Sequence, residues 1–156
     1  MRDSTRRIHS LLLKNNQTLA AAESCTAGLL SYLITRYPGS SKYFLLGVSA
    51  YSNKAKETLL GIPHRLICLK GAVSKEVAVL MAQNARRLIG ADFGIGITGI
   101  AGPDGATRGK PVGTVFIAVS GKGQTVWRKF IFRESRGAIR KMAALESLQL
   151  LETIVK

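Results

Sequence analysis

The chain has 156 residues, which is enough to bury the core of one domain. Its 23 Lys and Arg residues outnumber 9 Asp and Glu residues, so the formal net charge is +14 and favours anionic partners. The apolar runs are too short for a signal peptide or a membrane span, and two cysteines are too few for a disulfide framework. We therefore expect one cytoplasmic domain over residues 1–156 that does not associate with membranes.

Helix and strand patterns alternate in the first half of the chain. The pattern predicts a helix over residues 4–15, a buried strand over 17–22, a helix over 26–37, a buried strand over 43–52 and a short helix over 54–60. Pro38 and Gly39 end the second of these helices, and Gly61 ends the third. Such an alternation is typical of α/β folds.

The second half of the chain continues the alternation. Ser74 is placed to cap a helix that ends before Gly90, and apolar residues at 93, 95 and 97 alternate with glycines in a strand that another element approaches closely. Strands over 112–120 and 124–132 form a hairpin, and a last helix over 137–154 carries on one side Ile139, Met142, Leu145, Leu148 and Leu151. The whole pattern predicts a layered α/β domain with helices on both faces of a mixed sheet.

The first segment with reactive side chains contains Ser24 and lies where a strand passes into a helix. Backbone N–H groups converge at a helix N-terminus, and they activate a nucleophile and stabilise an oxyanion. Local sequence leaves open a plain capping role for Ser24 or Thr26. Cys25 is a rival nucleophile, although a cysteine at this position is more typical of a core residue.

The second segment contains Lys56, near the start of the short helix over 54–60. The helix dipole disfavours a cation there, which lowers the pKa of an amine toward that of a general base for a serine. His9 and His64 are weaker candidates for the base, because neither has an evident carboxylate partner. The alternative for Lys56 is an ordinary solvated lysine.

The third segment runs from Thr98 to Gly105 and follows a predicted strand. Its glycines let backbone N–H groups approach an anion closely, although a plain turn explains them equally well. Further on, Arg133, Arg136 and Arg140 surround the start of the last helix, whose dipole disfavours cations. A bound phosphate explains these arginines, and so does solvent exposure.

Five sequence blocks in unbroken order resemble the CinA C-terminal family. They are Ala22-Glu23-Ser24-Cys25-Thr26-Ala27-Gly28, Tyr51-Ser52-Asn53 with Lys56, Gly71-Ala72-Val73-Ser74, Gly99-Ile100-Ala101-Gly102-Pro103-Asp104-Gly105 and Lys110-Pro111-Val112-Gly113-Thr114-Val115. The resemblance spans about residues 5–152. Each block alone is weak, but five blocks in series are highly specific.

The resemblance implies a three-layer α/β/α sandwich with a mixed, mostly parallel sheet. Stand-alone members of the family are nicotinamide-nucleotide amidases, which hydrolyse nicotinamide mononucleotide to nicotinic acid mononucleotide and ammonia in pyridine nucleotide salvage. By resemblance Ser24 is the nucleophile, Lys56 its base and Tyr51 a supporting residue. The resemblance further assigns to substrate binding Thr26, Thr98, Gly99, Ala101, Gly102, Arg136 and Arg140, with Arg140 on the phosphate. It also implies that the protein needs neither a metal nor a cofactor, forms a homodimer and has no nucleic-acid partner.

Two positions depart from the family pattern. Ala27 replaces a usual glycine, and we expect its methyl group to narrow the approach of the backbone to substrate. Lys54 replaces a common acidic residue, so both Lys54 and Lys56 are candidates for the base. The spacing of the family motif favours Lys56. Larger members carry a further N-terminal domain that resembles molybdopterin-binding proteins, so we expect this chain to carry the amidase half alone. The alternatives are a basic nucleic-acid-associated protein and a nucleotide-binding module without catalysis.

Overall fold

Five strands form one mixed sheet in a computed structural model that describes residues 4–155. The strands are β1 (Leu19–Glu23), β2 (Phe44–Ser49), β3 (Phe93–Gly99), β4 (Thr114–Gly121) and β5 (Gln124–Ile131), in the spatial order β2-β1-β3-β4-β5. Strand β1 pairs in parallel with β2 and with β3, whereas β4 is antiparallel to both β3 and β5. Four strands therefore run in one direction and β4 alone opposes them, which confirms the expected mixed sheet.

Six α-helices cover the sheet in the described part of the chain. They are α1 (Ser4–Asn15), α2 (Leu29–Thr35), α3 (Asn53–Leu60), α4 (His64–Lys70), α5 (Lys75–Ile89) and α6 (Arg136–Glu152). Buried side chains of α1, α2 and α6 share one apolar cluster with one face of the sheet. Those of α3, α4 and α5 pack on the opposite face. The fold is therefore the three-layer α/β/α sandwich.

Strand β1 is an inner strand of the sheet, between β2 and β3. Leu19 and Ala21 enter the cluster under α1, α2 and α6, whereas Ala20 and Ala22 enter the cluster under α5. This alternation is the period of two that a strand imposes on its side chains. Because β1 is covered on both faces, even the charged residue at its end, Glu23, is fully buried.

The glycines of β3 explain how closely α5 approaches the sheet. A Cβ atom at Gly94 would lie 2.1 Å from the carbonyl oxygen of Ala82, and one at Gly96 would lie 2.3 Å from that of Ala78. Both distances are far below van der Waals contact, so only glycine allows the α5 backbone to rest on this strand. The expected close approach is confirmed. Ser74 and Gly90 cap α5 as predicted.

Other boundaries differ from the sequence-based expectation. Helix α2 begins at Leu29 rather than at residue 26, because Ala27 and Gly28 have φ angles of 47° and 89° that a right-handed helix excludes. Strand β2 is a sheet edge with alternating burial, not a fully buried strand. One further helix, α4, was not predicted from the sequence, and Pro63 is its N-cap.

The buried face of α6 agrees with the predicted one in part. The helix buries Ile139, Leu148 and Leu151 as expected, but Met142 is 37% exposed. The buried stripe also includes small residues, namely Ala143, Ala144 and Ser147. Small residues allow α6 to lie close to the sheet and to neighbouring helices, so the stripe follows size as well as hydrophobicity.

Candidate functional site

The candidate segments meet at one edge of the sheet. Strands β1, β2, β3 and β5 all end there, since they run in the same direction. Ser24 follows β1, the segment before α3 follows β2, the glycine loop follows β3 and α6 follows β5. Because the chain crosses from β1 to β2 on one side and β3 lies on the other, this edge has the crevice where α/β proteins bind ligands.

Ser24 and Lys56 form a direct hydrogen bond at the base of this crevice. The Lys56 Nζ atom lies 2.9 Å from Ser24 Oγ, although 32 positions separate the two residues in sequence. The Ser24 backbone N–H donates to the Ile97 carbonyl, 2.9 Å away, which ties the serine to β3. Nζ also donates to the carbonyl oxygens of Ala50 at 3.0 Å and Tyr51 at 3.2 Å. The amine is therefore held from three sides.

Lys56 is buried without a counter-charge. Only 1% of the residue is exposed, and no carboxylate of the described residues lies within salt-bridge distance. Burial disfavours the ammonium form, so it lowers the pKa of the Lys56 amine below its usual value of 10.5. The direction agrees with the sequence-based expectation, but the main cause is burial and not the helix dipole. Lys54 is exposed on the same helix and is not among the residues that line the cleft described below.

Helix α3 carries Lys56 into the site because its N-terminus is fixed by a cap. The Ser52 side chain accepts a hydrogen bond from the N–H of Ala55, and Gly61 ends the helix with a φ of 60°. The cap starts the helix immediately after the strand-end residues Ala50 and Tyr51, so their carbonyls reach the amine of the same segment. The local segment thus supplies two of the three groups around the amine, and Ser24 supplies the third.

Glu23 holds the turn that carries the nucleophile candidate. Its buried carboxylate accepts hydrogen bonds from the N–H groups of Gly28, Leu30 and Ser31 and from the Ser31 hydroxyl, at distances of 2.7–3.0 Å. These donors are the otherwise unpaired groups at the start of α2. No role was predicted for Glu23 from the sequence. A carboxylate that follows an apolar strand and precedes a helix start is the sequence feature that indicates such a role.

Ala27 lies in the same turn, is exposed, and is not among the residues that line the cleft described below. Its φ of 47° is left-handed, a conformation that costs a non-glycine residue roughly 1 kcal/mol or more. The alanine therefore affects the stability of the turn, and the expected narrowing of the approach to substrate stays a prediction.

A cleft of about 270 Å³ opens above Ser24 and Lys56. Its walls are formed by the end of β3, the glycine loop, the segment after β2 and the first residue of α6. Of the predicted site residues, it brings together Ser24, Lys56, Tyr51, Thr98, Gly99, Ala101, Gly102 and Arg136. Cys25, Asn53, Ala72, Val73, Ile100, Asp104 and Gly105 complete the lining.

Arg136 and Arg140 have different environments although they lie one turn apart on α6. Arg136 is at the cleft, where its guanidinium donates to the Gly102 carbonyl at 2.6 Å and to the Tyr51 hydroxyl at 3.0 Å. Arg140 donates to the Thr26 carbonyl at 2.9 Å, behind the serine turn. Neither Arg140 nor Thr26 lines the cleft. Of the two arginines, the structure brings only Arg136 to the cleft.

The remaining candidates for nucleophile and base have other surroundings. Burial raises the pKa of the Cys25 thiol to about 11, which disfavours the reactive thiolate. His9 contacts the Tyr43 hydroxyl at 3.2 Å. His64 does have a carboxylate partner, contrary to expectation, since its Nδ1 atom lies 2.8 Å from Glu57 Oε1. Neither histidine lines the cleft.

In residues 4–155, which the structure describes, no helix is long and apolar enough to cross a membrane. The same residues contain no group of three or more His, Cys, Asp and Glu side chains arranged to hold a metal ion.

Comparisons with known proteins agree with the resemblance of the five blocks. The CinA C-terminal domain family model matches residues 1–155. A CinA-like protein of Geotalea uraniireducens is 48% identical over 144 residues, which are 92% of this chain and 34% of that protein. The chain thus spans about a third of the length of the curated relatives it matches.

Solved structures give the same result. The competence/damage inducible protein CihA from Agrobacterium tumefaciens superposes with a TM-score of 0.95 at 32% identity, covering 98% of this chain and 94% of that chain. A competence-damaged protein (CinA) superfamily protein from Escherichia coli gives a TM-score of 0.92 at 31% identity, covering 97% and 88%.

The buried amine predicts a specific pH dependence of stability. The unfolded chain keeps the Lys56 proton up to about pH 10.5, whereas the folded protein releases it at lower pH. Between these two values the unfolded state binds more protons, so this group makes the free energy of unfolding rise with pH. Lys56→Met should remove that rise, as measured by urea unfolding at a series of pH values. Lys54→Met, at an exposed lysine, should retain it. Parallel stability profiles of the wild type and Lys56→Met would contradict the assignment.

Proposed function

This chain belongs to the CinA C-terminal domain family, and we propose that it hydrolyses the carboxamide of nicotinamide mononucleotide by a Ser-Lys mechanism. The observation that carries the proposal is the buried hydrogen bond of 2.9 Å between Ser24 and Lys56. A buried lysine without a carboxylate partner costs folding free energy. Such a cost is characteristic of catalytic groups, whose pKa values are shifted toward their task.

The contacts of Lys56 suit a neutral amine that acts as a general base. A neutral amine has two N–H bonds and one lone pair. In the ammonium form the three oxygens around Nζ accept its three N–H bonds. In the neutral form that the proposal requires, the Ala50 and Tyr51 carbonyls accept the two N–H bonds, which leaves the lone pair for the Ser24 hydroxyl. In this arrangement the hydroxyl donates its proton to Nζ as the oxygen attacks.

The proposed reaction has two stages. Ser24 Oγ attacks the carboxamide carbon while Lys56 takes the hydroxyl proton, and the oxyanion accepts hydrogen bonds from backbone N–H groups. The C–N bond then breaks, and the Lys56 ammonium gives its proton to the departing nitrogen, which leaves as ammonia. Water attacks the resulting serine ester with Lys56 again as base, so that nicotinic acid mononucleotide and free Ser24 are regenerated. These steps use only side chains, backbone groups and water.

The turn after Ser24 is a suitable source of the oxyanion donors. The backbone N–H group of Thr26 has no hydrogen-bond acceptor among the described residues, and that of Cys25 contacts only its own thiol. They precede α2, so the helix dipole adds to their positive potential. Glu23 and Arg140 bind other groups of the same turn and keep it rigid. Preorganised donors of this kind are worth about 3–4 kcal/mol in a transition state.

The rest of the cleft suits a cationic ring that carries a phosphate. The pyridinium ring of the substrate withdraws electrons from the carboxamide and so eases attack on it. The Asp104 carboxylate lines the cleft and offers a partner for the ring's positive charge. Arg136, also in the lining, offers a charge-assisted contact for the phosphate. Because Arg140 bonds to the serine turn instead, we propose Arg136 for the phosphate and a positioning role for Arg140.

Ammonia release from nicotinamide mononucleotide tests the assigned nucleophile and base. Ser24→Ala should abolish turnover, because it removes only the attacking oxygen. Lys56→Ala should lower kcat at least ~100-fold, as expected for loss of a general base. Lys54→Ala is the matched control, since this exposed lysine should leave turnover unchanged. Wild-type turnover by a folded Ser24→Ala variant, checked by circular dichroism, would refute the mechanism.

A comparison of two substrates tests the phosphate contact. Arg136→Gln should raise KM for nicotinamide mononucleotide by roughly ten-fold or more, the equivalent of one charge-assisted hydrogen bond. The poor activity on the dephosphorylated nucleoside should change little, because it has no group for the guanidinium. Arg133→Gln, at an exposed neighbour, is the control that should leave both unchanged. Equal losses on both substrates would mean that Arg136 positions Tyr51 and Gly102 and does not bind phosphate.

A further inference from the structure

A second cluster of reactive side chains lies outside the cleft. Cys68 Sγ is 3.3 Å from His64 Nε2, and His64 Nδ1 is 2.8 Å from Glu57 Oε1. The two contacts use different nitrogens of one ring, so the three side chains form a continuous chain from carboxylate to thiol. None of them lines the cleft above Ser24.

Two short helices create this arrangement. His64 and Cys68 are four residues apart on α4, a spacing that puts both side chains on one face of the helix. Glu57 belongs to α3, and the left-handed Gly61 together with Pro63 turns the chain from α3 into α4. The turn brings the carboxylate against the far side of the imidazole.

The succession of contacts from Glu57 through His64 to Cys68 defines a chemical role for each residue. Glu57 accepts the hydrogen bond from Nδ1–H, which leaves the Nε2 lone pair directed at the thiol. His64 can then take the thiol proton, and the carboxylate stabilises the imidazolium that forms. This is the logic of a nucleophile, base and orienting acid, with a thiolate as the product.

The surroundings favour reagents from solution. Cys68 is exposed, and 75% of the His64 side chain is accessible, whereas Cys25 is buried in the core. The protein as a whole has a net charge of +14, spread over 23 Lys and Arg residues and 9 Asp and Glu residues. A positive field concentrates anionic reagents and stabilises a thiolate.

We propose that Cys68 is a modification site that forms mixed disulfides with small anionic disulfides. The Cys68 thiolate attacks one sulfur of the reagent, a new S–S bond forms and the old S–S bond breaks. The departing thiolate takes the proton that His64 removed from Cys68. Each reaction thus consumes one disulfide and one protein thiol, and releases one free thiol. The site is independent of the amidase proposed above.

Mass spectrometry of the intact protein treated with glutathione disulfide tests this proposal. We expect one adduct per chain, located on the peptide that contains Cys68, while Cys25 stays unmodified until the protein is unfolded. At about pH 7, His64→Gln should slow the adduct about ten-fold, because it removes the group that takes the thiol proton. Glu57→Gln should also slow it, by a smaller factor.

Arg65→Gln is the matched control, because it removes one positive charge from α4 without touching the three-residue chain. Its adduct should form at close to the wild-type rate. Equal rates for the wild type, His64→Gln and Glu57→Gln would overturn the proposal and leave Cys68 an ordinary surface thiol. Far-UV circular dichroism of each variant shows that α4 is intact, and the same ranking with a small aromatic disulfide excludes an effect particular to glutathione.

Discussion

The amine of Lys56 is the group around which the site is organised. It is withdrawn from water, has no carboxylate partner among the described residues, and is held by one hydroxyl and two backbone carbonyls. A cation in this environment is costly, so burial favours the neutral form of the amine, whose lone pair is available to Ser24. The proposed reactivity therefore comes from ordinary burial and needs no unusual backbone geometry at the lysine.

The sheet topology supplies the neighbours of that amine. Because β1 lies between two parallel partners, the residues after β1, β2 and β3 converge at one edge. Ser24, the Ala50 and Tyr51 carbonyls and the glycine loop come from these three strand ends. Glycines in β3 let α5 pack closely against this strand, and this packing holds β3 in place. Ser24 is hydrogen-bonded to the same strand. The core and the site are thus parts of one packing arrangement.

The sequence predicted those features that depend on local chemistry. Caps at Ser74 and Gly90, the glycine alternation in β3 and the chain order of helices and strands are all local, and the structure confirms them. The resemblance to a family predicted that Ser24 and Lys56 act as a pair. The 2.9 Å contact between them shows that the fold brings the two side chains together.

Features that depend on the direction of side chains could not be predicted from the sequence in the same way. Arg136 and Arg140 are one helical turn apart, yet only the packing of α6 decides which of them faces the cleft. The four-donor environment of Glu23 and the contact of His64 with Glu57 join segments whose relative orientation is set by tertiary structure. The exposure of Met142 has the same origin, since neighbouring elements select the buried stripe of a helix.

The covalent intermediate is the most direct test of the central claim. Protein mixed with nicotinamide mononucleotide and quenched in acid during turnover can be digested and analysed by mass spectrometry. The account predicts a nicotinoyl-nucleotide ester on the hydroxyl of Ser24, which accumulates when ester hydrolysis is the slower stage. An adduct on the thiol of Cys25, with Ser24 unmodified, would contradict it.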